Sequence, residues 1–215
     1  MLKAMDELEE KTGVRPAMGG RHLTLGTHNA FISMGEGRYL ELFAPDPEAE
    51  VPLQKLIGVD GPKPRLSTYC CDAGRIGLDY LVDHKFTSLL SDPDMVDVLP
   101  TEVEAGSRTN AKDGSTISWR IAVEKHAVPS EELPMGGLLP FYIDWGVCRN
   151  VRPATTAPTG CVLKTLRAIH PQADKLKSMV GKLNVGLQDL LDIQQGPEPK
   201  LVAIIDTPKG TIELS

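Results

Sequence analysis

The 215-residue chain lacks an apolar run long enough to cross a bilayer as a helix; its longest plainly aliphatic stretch near the end is only Leu201 to Ile205. Basic residues form no block. With 23 Lys and Arg against 29 Asp and Glu, the net charge is -6, so neither a nucleic-acid partner nor an anionic membrane surface is expected. The first residues, with Asp6, Glu7, Glu9 and Glu10, resemble no signal peptide. Four cysteines, two of them adjacent at Cys70 and Cys71, have neither disulfide-framework nor zinc-finger spacing. Reduced thiols in a cytoplasmic protein are therefore expected. No P-loop, nucleophile elbow, His-Glu-x-x-His or paired Cys-x-x-Cys occurs, and Gly35-Glu36-Gly37-Arg38 lacks the third glycine of a dinucleotide-binding turn.

What is present is a recurring pattern. Three short β-type runs each carry one acidic residue inside an apolar stretch: Tyr39-Leu40-Glu41-Leu42-Phe43, Phe141-Tyr142-Ile143-Asp144-Trp145 and Thr211-Ile212-Glu213-Leu214. A lone carboxylate in a strand facing a core costs several kcal/mol unless it is paired or bound to metal. Two of these runs close a longer unit. Strand-like Leu66 to Cys71 leads into helical Arg75 to Val82 before the Asp144 run, and strand-like Cys161 to Leu166 leads into helical Ala173 to Leu183 before the Glu213 run. The first copy starts in a helix striped by Leu2, Met5 and Leu8, stopped at Thr12-Gly13 and followed by strands over Arg21 to Leu25, His28 to Met34 and the Glu41 run. The expected fold is α+β, built from repeated βαβββ modules in curved mixed sheets, with the first module lacking its opening strand. Ala44 to Pro64, Glu124 to Gly137 and Asn150 to Gly160 read as loops, the first two long enough to serve as lids.

A family resemblance rests on Gly19-Gly20-Arg21-His22, Gly26-Thr27-His28-Asn29-Ala30, the Tyr39 to Pro45 run, Gly136 to Gly146, and Asp206-Thr207-Pro208-Lys209-Gly210. These resemble the glyoxalase-like branch of the vicinal oxygen chelate superfamily, whose βαβββ modules pair into a cup around a divalent metal. The resemblance implies a domain over residues 1–150, made of two modules, and a third half-module over 158–215. It leaves the reaction open, because the superfamily includes lyases, epimerases, extradiol dioxygenases, thiol transferases and metal-free drug-binding proteins.

Alternation along a strand puts Tyr39, Glu41 and Phe43 on one face and Leu40 and Leu42 on the other. His28 and Glu41 lie in strands joined through Met34-Gly35-Glu36-Gly37. An even loop puts both on one face, where they could share an ion; a three-residue loop puts them on opposite faces. Imidazole with carboxylate suits zinc, iron, nickel or manganese. Asp144 stands where Glu41 stands in the preceding module, so His28, Glu41 and Asp144 form the candidate metal set, with Glu41 also the candidate catalytic carboxylate. His22, Tyr39, Phe43, Tyr142 and Trp145 are the candidate substrate contacts. The opening strands of modules two and three offer Tyr69 or Cys71, and Thr165 or Arg167, where metal-dependent members of the family commonly supply a histidine. Against these roles stand a salt-bridged Glu41, a His28 that only braces the turn from Gly26 to Asn29, and an Asp144 bonded to backbone or Arg149.

Three functions follow as expectations. The first is a metal-dependent lyase, isomerase or dioxygenase acting on a small oxygen-rich metabolite. The second is a metal-free binding protein of the drug-resistance type, and the third a catalytically silent subunit. The empty sheet position beside the first module is expected to be filled by the third module or by a homodimeric or swapped partner.

Overall fold

The computed structural model of the chain describes residues 1–53, 59, 64–74, 76–122, 133–183 and 189–215. Helix α1 (Leu2–Thr12) buries Met5, Leu8 and Thr12 and stops at Gly13, while Leu2 remains exposed. Strands β1 (Ala17–His22), β2 (Thr27–Ser33) and β3 (Tyr39–Pro45) follow as an antiparallel meander. The first of them begins earlier than the Arg21 to Leu25 stretch, taking in Gly19 and Gly20. The second unit consists of β4 (Cys70–Asp72), helix α2 over residues 78–89 with π-helical turns at Leu81–Phe86, then β5 (Glu104–Asn110), β6 (Thr116–Ala122) and β7 (Phe141–Asp144).

These strands make one seven-stranded sheet in the order β3-β2-β1-β5-β6-β7-β4. The two units join where β1 pairs with β5, through Gly20 with Asn110, Arg21 with Thr109 and His22 with Arg108. Gly20 sits at a bulge in β1 with φ 143°, and a Cβ there would lie 1.5 Å from the carbonyl oxygen of Thr109, so only glycine permits this joint. The sheet is curled. One face carries Ile117, Ile143 and Trp145; the other is covered by α2, packed through Leu78, Leu81 and Phe86 onto Cys71, Ala122 and Tyr142.

The third unit, β8 (Val162–His170), α3 (Ala173–Leu183), β9 (Leu191–Gln195), β10 (Lys200–Thr207) and β11 (Gly210–Leu214), forms a four-stranded sheet in the order β11-β10-β8-β9. It repeats the element order of the second unit but not its strand order. β8 lies inside its sheet, parallel to the next strand β9, whereas β4 is an edge strand parallel to β7. Helix α3 ties the units together, because Leu176 packs into the core shared by Leu8, Ile32, Leu166 and Ile205, while Met179 and Leu183 enter the core around Phe86.

The third unit does not supply the expected extra strand. Among the described residues β3 pairs with β2 alone. The third unit instead covers the outer face, where Leu40 and Leu42 pack against its core, and among the described residues its backbone bonds to the first unit are at the nearby turn, from Leu163 N–H to Met34 and from Ser33 N–H to Pro158. Apolar Leu40 and Leu42 are thereby half-buried against a packed sheet without any ladder to β3 among the described residues. The loop expected at Asn150 to Gly160 holds short helical turns at Gly146–Val151 and Pro153–Thr156. Much of the other two predicted loops lies outside the described residues. No described helix is long and apolar enough to cross a membrane.

Candidate functional site

The concave face of the seven-stranded sheet borders a cavity of about 980 Å³, within the range of small-molecule sites. Cross-strand partners share a face, so Phe31 opposite Glu41, Asn29 opposite Phe43 and His22 opposite Arg108 all stand on this side. Trp119 and Trp145 complete the wall. Their rings run as a continuous belt: Phe31 to Tyr39 at 5.5 Å, Tyr39 to Trp145 at 6.5 Å, Trp145 to Trp119 at 5.5 Å, Trp119 to His22 at 5.7 Å and His22 to Phe43 at 5.0 Å between centroids. Gly106 makes room for the belt, because a Cβ there would lie 2.3 Å from Nε1 of Trp119.

A short polar chain crosses this apolar wall. Asn29 donates through Nδ2 to Oε1 of Glu41 at 2.9 Å and lies 3.1 Å from Nε2 of His22, whose Nδ1 is 2.8 Å from the Thr27 hydroxyl. Glu41 is open to the cavity but ringed by protein. Desolvation raises its carboxyl to about 7, opposed by the Asn29 hydrogen bond and by the charge of Arg108. Burial, with Arg108 adding to it, lowers His22 to about 4, so the imidazole is neutral. Burial likewise pushes Tyr39 well above its ordinary value and Cys70 up to about 12, and the two side chains hydrogen-bond each other. Arg108 is buried, donates from Nη1 to the Gly19 carbonyl and lies 5.3 Å over the Phe31 ring, while its Nε has no partner.

The expected metal set does not assemble. The β2–β3 turn holds three residues, Gly35 to Gly37, between Met34 and Arg38, which are joined from Met34 N–H to the Arg38 carbonyl at 2.9 Å. This odd count pairs His28 with Ala44, on the face opposite Glu41. Asp144 is also on the outer face. Its Oδ1 accepts from Gly146 N–H at 2.9 Å, and its Oδ2 lies 4.0 Å from Arg120, which is paired with Asp79. In β7 the inward positions belong to Ile143 and, just beyond the strand, Trp145, so Asp144 is one residue out of step with Glu41. Among the described residues no three His, Cys, Asp or Glu side chains could hold a metal ion together.

Of the expected substrate contacts, His22, Tyr39, Phe43 and Trp145 line the cavity. Tyr142 does not; it points into the helix-covered core, 5.1 Å from the Phe86 ring. Sequence reasoning missed Asn29, Arg108 and Trp119. The alternation of Ile117, Trp119 and Ile121 was a usable signal for an inward strand face, whereas Arg108 carried none, because its place beside His22 depends on the long-range pairing of β1 with β5.

The Glyoxalase-like domain family model matches residues 1–183, from α1 through α3. A search of curated proteins gives no match. Among solved structures, a crystal structure of a hypothetical protein from Staphylococcus aureus is similar in fold, with a TM-score of 0.51, 15% identity, and coverage of 89% of this chain and 82% of that one.

Proposed function

From the premise that this chain belongs to the glyoxalase-like domain family, within the vicinal oxygen chelate superfamily, we propose that its cup binds a small, largely apolar molecule and that Glu41 moves a proton on it. The observation that carries this reading is the Glu41 carboxylate set among aromatic rings, held at about 7 with Asn29 bonded to it and Arg108 in electrostatic range. A carboxylate poised there can take a proton from carbon next to a carbonyl and return it elsewhere near neutral pH. The C–H bond breaks, its electron pair passes to the carbonyl oxygen as an enolate, and the Arg108 guanidinium stabilises that charge. Returning the proton to another atom completes an isomerisation, with no oxidant or further reactant consumed. His22 stays neutral and Asn29 keeps Glu41 aimed at the cavity.

The metal-dependent reading would require ligands besides Glu41, and His28 and Asp144 are directed away from it. The four free cysteines fit a cytoplasmic setting, and the β3 edge, which pairs with no further strand among the described residues, is a place for a second subunit.

Deuterium exchange tests the proposal. A panel of neutral aryl ketones incubated in deuterated buffer and followed by NMR should show exchange at the carbon next to the carbonyl, lost by about a hundredfold or more in Glu41→Gln. Stoichiometric zinc, iron, nickel or manganese in protein purified without chelator, with exchange that depends on it, would overturn the metal-free reading.

A further inference from the structure

The cup holds a buried cation that forms no direct ion pair among the described residues. Arg108 is 3% exposed and lines the cavity; it spends one N–H group on the Gly19 carbonyl, leaves Nε without a partner, and forms no ion pair with a described carboxylate. An unpaired buried charge is costly, and an anion placed beside it recovers most of that cost.

Resting on the proposal that the cup is a small-molecule site, we infer that it also takes up an aromatic or hydrophobic monocarboxylate, held by Arg108, and that Glu41 binds one proton as the anion enters, so that such an anion competes with the neutral carbonyl substrate for the cup. The charge count leads to this coupling. Facing Glu41 are His22 from β1, Tyr39 from its own strand, Cys70 from β4 and Arg108 from β5; facing Arg108 are Glu41, Tyr39, His22 and Cys148. His22, Tyr39 and Cys70 are each held neutral by burial. Elsewhere on the cavity wall Asp72 is paired with Arg149 and Arg152, and Arg38 with Glu36. Arg65 and Glu104 have interactions of their own.

Two charges therefore decide the electrostatics of the inner cup. Without ligand, an ionised Glu41 partly balances Arg108 across the cavity. A ligand carboxylate supplies that balance at closer range and repels the Glu41 carboxylate, which then binds a proton because it is already close to neutrality. The aromatic belt supplies the apolar contact for the rest of the molecule, and a guanidinium is suited to a planar carboxylate.

The test compares naphthoate with its neutral counterpart naphthamide, using calorimetry and the emission of Trp119 and Trp145. Naphthoate should bind at least about tenfold tighter than naphthamide near pH 6, and its affinity should fall by up to about tenfold per pH unit above pH 7. Calorimetry near pH 8 in phosphate and in Tris should show uptake of close to one proton. In Glu41→Gln the preference for naphthoate should persist while the pH dependence and the proton uptake disappear. Arg108→Gln should lose the preference and Arg108→Lys should retain part of it, with circular dichroism confirming that both are folded. Equal binding of the two probes, or naphthoate binding without proton uptake, would overturn the inference while leaving the small-molecule site intact. Absence of heat and of any emission change with both probes would overturn the small-molecule reading as well.

Discussion

The side-chain amide of Asn29 joins Glu41 to His22: its Nδ2 lies 2.9 Å from Oε1 of Glu41 and 3.1 Å from Nε2 of His22. Both amide hydrogens are used, so His22 accepts at Nε2 and donates from Nδ1 to the Thr27 hydroxyl. The carboxylate and the imidazole are thereby fixed in opposite pH regimes, one pushed up to about 7 and the other down to about 4.

Glu41 destabilises the fold at alkaline pH. Its ordinary value is 4.5 and its folded value about 7, so the chain pays no ionisation penalty below 4.5, loses stability as pH rises between the two, and stays at the lower level above. Glu41→Gln should raise Tm by about 2–4 °C near pH 8 and leave it nearly unchanged near pH 4. Thermal unfolding at the two pH values checks this; an equal shift at both would rule out titration of Glu41 as the cause.

His22 has the opposite sign. With a folded value of about 4 against an ordinary 6.5, its contribution is complete above 6.5 and lost as pH falls through 4. His22→Gln keeps a polar side chain beside Thr27 and Asn29 but cannot charge, so its stability should be flatter than that of the wild type across this window. Urea titrations at several acidic pH values measure the slope directly.

Gly20→Ala should be severe, costing more than about 3 kcal/mol, because the added methyl meets the Thr109 carbonyl at 1.5 Å and φ is 143°. Gly114→Ala is the control: φ is +72° but nothing lies within 4 Å of the added carbon, so only about 1 kcal/mol of backbone strain is expected. Denaturant midpoints compare the two. A similar cost at both positions would mean that the β1–β5 joint tolerates the methyl.

Changes on the outer face should leave the cup alone. His28→Ala and Asp144→Asn should bind naphthoate with wild-type affinity, and the latter should cost no more than about 1 kcal/mol, the scale of one hydrogen bond and a weak ion pair. A loss of affinity beyond about tenfold in either would put that side chain back at the site.

Several features were legible because they are local. The stripe that buries Met5 and Leu8, the stop at Gly13 and the helix Ala173–Leu183 all follow from the 3.6-residue period and its end signals. Period-two alternation likewise put Tyr39, Glu41 and Phe43 on one face, where they stand opposite Ser33, Phe31 and Asn29 of β2. The same alternation puts Tyr142 and Asp144 on a common face, but which face turned inward was set by packing: α2 covers one side of β7, and Ile143 with Trp145 occupies the other.

The chain by itself determined the α+β character, the recurring βαβββ element order and the placement of a carboxylate within an apolar strand, because each depends on residues a few positions apart. Tertiary structure decided what that carboxylate meets. A three-residue turn sent His28 to the far face, since a slip of one residue reverses every side chain in a strand. The pairing of β1 with β5 brought Arg108 beside His22 from 86 residues away along the chain (108 minus 22), a distance over which no local propensity acts. Whether Glu41 would be a metal ligand or a lone near-neutral acid depended on those two long-range choices, because desolvation and neighbouring charge are properties of the assembled cup rather than of the strand that carries the residue.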